Sequence, residues 1–210
     1  MSVVSLFRNN ISVAYDSFIS SYIKDYWHFM EFTEEQFEKR ESEYLNSQSD
    51  EELSYYKKEG ILEFVDPMAR DFERMRRYSF LVTIHSLLEE YVVDYCKVNG
   101  NSWSEFSAMK KNKGKGTLIK VQLYISNELK EEFPNNNEWK FIRKVNSFRN
   151  EIIHNGGDLN RSPYFEDVTK KIKNTEGISI GNHNMIILDK NFCFNYLKAV
   201  DRFLSSLYKN

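Results

Sequence analysis

Helix breakers are nearly absent from this chain. Its 210 residues hold 3 Pro and 8 Gly, against 16 Phe and 13 Tyr. Sheet proteins need frequent turns, and turns draw on Gly, Pro, Asn and Asp. A chain with so few breakers and so many bulky rings is constrained to long helices packed on aromatic cores. The length suits one domain, or one domain with an appended arm, and suffices to bury a core without staples. The expected class is all-α, with one small exception near the C-terminus.

The apolar pattern places the helices. Leu6/Phe7, Ile11, Ala14/Tyr15, Phe18, Tyr22, Tyr26 and Phe29/Met30 recur at helical spacing and predict a first helix over residues 3–30. Residues 33–59 are polar and acidic. Thr33-Glu-Glu-Gln36 and Ser49-Asp-Glu-Glu52 both have the form of capping boxes, so two peripheral helices broken near Asn46 are expected. Asp66-Pro67 has the form of a helix start, a capping Asp followed by Pro in the first turn. That helix, with Met68, Phe72, Met75, Leu81, Leu88 and Val92 among its apolar positions, should reach Val98 and stop at Asn99-Gly100. A loop is expected over 101–116, helices over 117–132 and 138–154, and a polar connection up to Gly177. Ile178-Ser-Ile180 and Met185-Ile-Ile-Leu188 flank a Gly-Asn-His-Asn turn and predict a β-hairpin. Asp189 should cap a last helix carrying Phe192, Tyr196, Val200, Phe203 and Leu207. Residues 1–60 are expected as an N-terminal helical arm packed on a domain spanning 61–210.

Composition removes several function classes. The formal net charge is -2, so nucleic acid would have to be met by a local basic patch. No apolar stretch approaches membrane-spanning length, and the N-terminal run lacks a basic segment followed by an apolar one. A cytoplasmic protein is expected. Cys96 and Cys193 match no metal or redox spacing and are expected as buried thiols. No metal or cofactor is implied.

The chemistry concentrates around Arg149. Stepping at helical period from Ile142 through Val145 lands on Arg149 and then on Ile152/Ile153. That puts a cation on the face expected to be buried, where it must be paired, with Glu89 or Glu90 as the partner, or solvated in a cleft. Asn150 and His154 are four residues apart and share a face, and His154 occupies the last turn before Asn155-Gly156-Gly157. A guanidinium grips phosphate oxygens in a planar fork, an amide orients, and an imidazole moves protons near neutral pH.

The string Asn146-Ser-Phe-Arg149-Asn150-Glu-Ile-Ile-His154-Asn-Gly resembles the signature of HEPN ribonucleases: Arg, a polar residue, and His four to six intervening residues on. Ser86-Leu-Leu-Glu89-Glu-Tyr-Val-Val-Asp-Tyr-Cys96 is similar to the core helix preceding that motif. The resemblance covers about residues 66–208. It implies a HEPN-like helical bundle with a small C-terminal β-hairpin, working as a homodimer that brings two motifs together. The implied activity is metal-independent RNA cleavage of toxin or antiviral-defence type, with Arg149, Asn150 and His154 catalytic and Glu89 and Asn146 in support. Lys110, Lys111, Lys113, Lys115, Arg143 and Lys144 are the expected RNA contacts. The other reading of the resemblance is a catalytically silent module that binds RNA or a partner protein, such as a nucleotidyltransferase antitoxin.

Overall fold

A computed structural model of the chain describes residues 10–58 and 72–209. It is mostly helical, with a two-stranded antiparallel sheet near the C-terminus. Short helix α1 (Ile11–Ala14) continues through a π-helical turn, Tyr15–Ile19, into α2 (Ser20–Ser47). Then follow α3 (Asp50–Lys58), α4 (Glu73–Asn99), α5 (Trp103–Ala108), α6 (Thr117–Tyr124), α7 (Asn137–Asn155) and α8 (Phe165–Lys173). Strands β1 (Ile178–Ile180) and β2 (Ile186–Leu188) precede α9 (Lys190–Lys209). The strands pair Ile178 with Leu188 and Ile180 with Ile186. Among the described residues no helix is long and apolar enough to cross a membrane.

Several expectations are corrected. Thr33 opens no new helix, because residues 20–32 are already helical with no Gly or Pro to interrupt them. Its hydroxyl instead donates back to the Phe29 carbonyl at 2.6 Å, the bond Thr makes inside helices. Ser49 does start α3: its amide donates to Glu52 Oε2 at 3.0 Å while its hydroxyl accepts from the Glu52 amide at 3.3 Å. The expected loop over 101–116 contains α5 and a 3-10 turn, Lys110–Asn112. Asn112 is buried there, its side chain donating to the Phe106 carbonyl at 2.7 Å, which pins the basic run in place. The helix expected over 117–132 leaves α geometry for a π-helical turn at Ile125–Leu129 and stops at a left-handed Lys130. The polar connection before Gly177 contains α8, whose Val168 and Ile172 are buried beneath a rim of lysines. The helix start at Asp66-Pro67, Met68, Leu6, Phe7 and the boundary expected near residue 60 lie outside the described residues.

The chain divides into two compact units. Of the described residues, 10–24, 83–147 and 195–209 form one, and 25–58, 72–82 and 148–194 form the other. The first is built on Ile84, Leu88, Val92, Val121, Tyr124, Trp139, Ile142, Val200 and Phe203, all buried. The second is built on Met30, Phe80, Leu81, Phe148, Leu159, Val168, Ile186 and Phe192. It also buries an ion cluster. Glu34, 1% exposed, accepts from Arg76 Nη2 at 2.8 Å and from Arg77 Nε and Nη2 at 3.2 and 3.1 Å. Arg77 also donates to the Leu188 carbonyl, tying the cluster to the hairpin. Cys96 and Cys193 are free and buried, as expected, and burial pushes the Cys193 thiol up to about 12.

Candidate active site

Arg149, Asn150 and His154 all lie in the last turns of α7, within the second unit. Ile142, Val145, Phe148 and Ile152 form the buried stripe of this helix. Phe148 thus holds the place at the centre of the stripe that the spacing had given to Arg149, and Ile153 is exposed. Arg149 sits on the flank, half-buried. This is a correction of about one helical position, and it follows from the preference of an aromatic ring over a cation for the driest place.

Arg149 Nη1 donates to Asn150 Oδ1 at 3.2 Å. Its Nε is buried with no hydrogen-bond partner. Among the described residues Arg149 makes no ion pair. Glu89, one of the two acids weighed as a partner, is placed beside buried His85, with 4.0 Å between Glu89 Oε1 and His85 Nε2. His85 Nδ1 in turn contacts Tyr196 Oη at 2.6 Å, so His85 and Glu89 belong to the first unit's core and its edge. Asn150 is half-buried and His154 is exposed, one turn further on. Asn146, also half-buried, precedes Asn150 by one turn, and exposed Arg143 precedes Asn146 on the same ridge of the helix.

The helix end that carries His154 is held rigidly. Gly156 and Gly157 both adopt left-handed backbone, φ +65° and +82°. The Gly157 amide closes the helix by donating to the Glu151 carbonyl at 3.2 Å, a return one residue wider than the usual 6→1 bond of a glycine-terminated helix. The Gly157 carbonyl accepts from the Ile186 amide at 2.9 Å, so the turn is stitched directly to β2. Asp158 bridges to Met185 and accepts from the Asn160 amide at 3.0 Å. Buried Glu151 accepts from Asn155 Nδ2 at 2.6 Å, fixing the residue after His154. Tyr78 lies against Gly157 and donates to the Ile186 carbonyl at 2.5 Å; burial raises its hydroxyl to about 12. Tyr78 and Phe148 had no sequence signal as parts of this site. The glycine pair did.

Of the expected RNA contacts, Lys110, Lys111, Lys113 and Arg143 are exposed, and Lys115 and Lys144 are half-buried. Lys115 Nζ donates to the Lys111 carbonyl, and Lys111 Nζ stands 5.7 Å over the Phe106 ring. Among the described residues no group of three His, Cys, Asp or Glu side chains is placed to hold a metal ion.

The chain matches no family model, no curated protein and no solved structure.

Proposed function

We propose that the chain is a metal-independent endoribonuclease of HEPN type, a toxin or defence nuclease acting as a homodimer. Arg149 carries the reading. It is half-buried, its Nε is shielded from water without an acceptor, and no acid pairs with it among the described residues. A guanidinium kept in that condition is set to receive an anion, and a phosphorane is one. Asn150 bonds Nη1, leaving Nη2 to the ligand.

The chemistry balances with these groups. The ribose 2′-oxygen attacks the adjacent phosphorus and loses its proton to a base. The bond from phosphorus to the 5′-oxygen breaks, and that oxygen takes a proton from an acid. The products are a 2′,3′-cyclic phosphate and a 5′-hydroxyl. Arg149 holds the charge of the phosphorane, and the exposed imidazole of His154 makes one of the two proton transfers. A second copy across a twofold axis supplies the other. Asn146 and Arg143, on the ridge of the same helix leading to His154, extend the strand's path.

The test is incubation of the native protein and His154→Ala with total RNA in EDTA. Native protein should leave 2′,3′-cyclic phosphate ends and the variant none. Equal cleavage by the two, at matched purity, overturns the assignment. One observation favours the second reading, a silent RNA- or protein-binding module: among the described residues nothing hydrogen-bonds the His154 ring to fix its tautomer. On that reading neither protein cleaves.

A further inference from the structure

The first unit carries a groove of about 420 Å³ between the start of α7 and the middle of α9. Its volume falls within the range of about 300–1,000 Å³ usual for small-ligand sites. Asn137, Glu138 and Phe141 line one wall; Asn195, Lys198 and Arg202 line the other. We propose that this groove binds single-stranded RNA, stacking a base on Phe141 and holding the flanking phosphates with Lys198 and Arg202. The inference rests on the RNA-cleaving reading for its biological sense, and it concerns different residues.

The residue types and their placement carry it. Phe141 is half-buried, and its ring meets Tyr196 edge to face at 6.0 Å and 84°, so its plane is set before a ligand arrives. A ring held in place loses little freedom when a base stacks on it, and any base offers a face to stack. Asn195, Lys198 and Arg202 follow one another at helical spacing along one face of α9. Both cations are exposed, about 5–6 Å apart at Cβ, one turn of helix, which suits phosphates flanking one nucleotide. Arg202 makes no ion pair among the described residues. The two asparagine amides offer donors and acceptors of the kind that read base edges. Glu138 is the one acid in the lining. It accepts from a base amino group but repels a second phosphate strand, which favours a single strand over a duplex. An acidic peptide would use the cations and leave the ring and amides unengaged.

The experiment measures binding of fluorescein-labelled 2′-O-methyl oligoadenylate of about eight nucleotides. Such RNA lacks the nucleophile and stays intact. An abasic oligomer and a duplex of equal length are the comparisons. Native protein should prefer the adenylate over both by about ten-fold. Phe141→Leu should erase the preference over the abasic strand. Lys198→Glu/Arg202→Glu, both at exposed positions, should weaken binding at least about ten-fold and flatten the salt slope by about 1.4. Native-like binding by the double variant overturns the proposal. So does equal affinity for abasic or duplex RNA. Absence of RNA binding at low salt overturns it too, and leaves an acidic protein segment as the occupant to examine. Cleavage lost in His154→Ala while the groove variants bind like native protein refutes the groove alone. Groove-dependent binding without cleavage refutes the nuclease alone.

Discussion

Gly157→Ala should be the most damaging methyl group that can be added to the turn behind His154. Two penalties combine. At φ +82° an L-residue is left-handed, which costs roughly 1–2 kcal/mol. The added Cβ would also stand 2.7 Å from Tyr78 Cζ and 2.9 Å from Cε2, closer than carbon atoms approach, and nearer still to the hydroxyl. The ring must therefore leave, and with it goes the Tyr78 bond to the Ile186 carbonyl, worth about 0.5–1.5 kcal/mol. The total is about 1.5–3.5 kcal/mol. Gly156→Ala is the control: its φ is +65°, but nothing lies within 4 Å of its Cβ, so only the backbone term of roughly 1–2 kcal/mol applies. Urea unfolding followed by circular dichroism, with equal m-values, measures both. Tyr78→Ala combined with Gly157→Ala should lose less than the sum of the two alone, since the clash is removed with the ring. If Gly157→Ala costs no more than Gly156→Ala, Tyr78 does not brace this turn and the rigid seating of His154 is wrong.

Glu34→Gln should lower stability by about 3–5 kcal/mol in urea, because it leaves the buried Arg76 guanidinium without its anion and Arg77 with only half-buried Glu73, while Lys190→Ala, at the exposed pair with Glu38, should change it by less than about 1 kcal/mol. Arg149→Ala should melt no lower than the native protein, since it strands no paired acid and removes a desolvated N–H; a large fall in melting temperature with retained RNA binding would make Arg149 a structural residue. Tyr78 has its hydroxyl raised from 10.0 to about 12, so its contribution is present below pH 10 and is lost as pH rises through about 12. Native protein should therefore lose stability across that window more steeply than Tyr78→Phe, in melts at matched ionic strength.

The sequence made the long elements legible because their signals are local. Ser49 and Glu52 cap one another, Asp189 Oδ1 accepts from the Phe192 amide at 2.7 Å to start α9, and the hairpin forms where two apolar triplets flank Gly181 to Asn184. Two short helices without a start signal, α8 and α5, were hidden. In α8 the apolar signal is Phe165, Val168 and Ile172, diluted by two acids and three lysines, and in α5 it is only Trp103 and Phe106. Thr33 shows the opposite error, a start signal without a preceding stop. At the site, the glycine pair and the Asn150–His154 spacing could be read directly. The place of Arg149 could not, because Phe148 beside it competes for the same buried position and only packing decides between neighbours. Tyr78 reaches the turn from more than seventy residues away in sequence, beyond any local pattern.

The π-helical turn at Tyr15–Ile19 has a consequence for how this chain tolerates insertions and deletions. Such a turn holds one residue more than an α-helical turn of the same span. Removing a single residue there converts it to regular helix while α1 and the start of α2 keep their inward faces, Ala14 on one side and Ile23 on the other. The same deletion between Ile84 and Leu88 in α4 has no surplus residue to absorb it, and rotates everything beyond by about 100°, carrying Val92 and Cys96 out of the core. Length variation in the helical framework is thus expected to collect at residues 15–19, and at the second such turn, Ile125–Leu129, as gaps that leave the flanking cores in register.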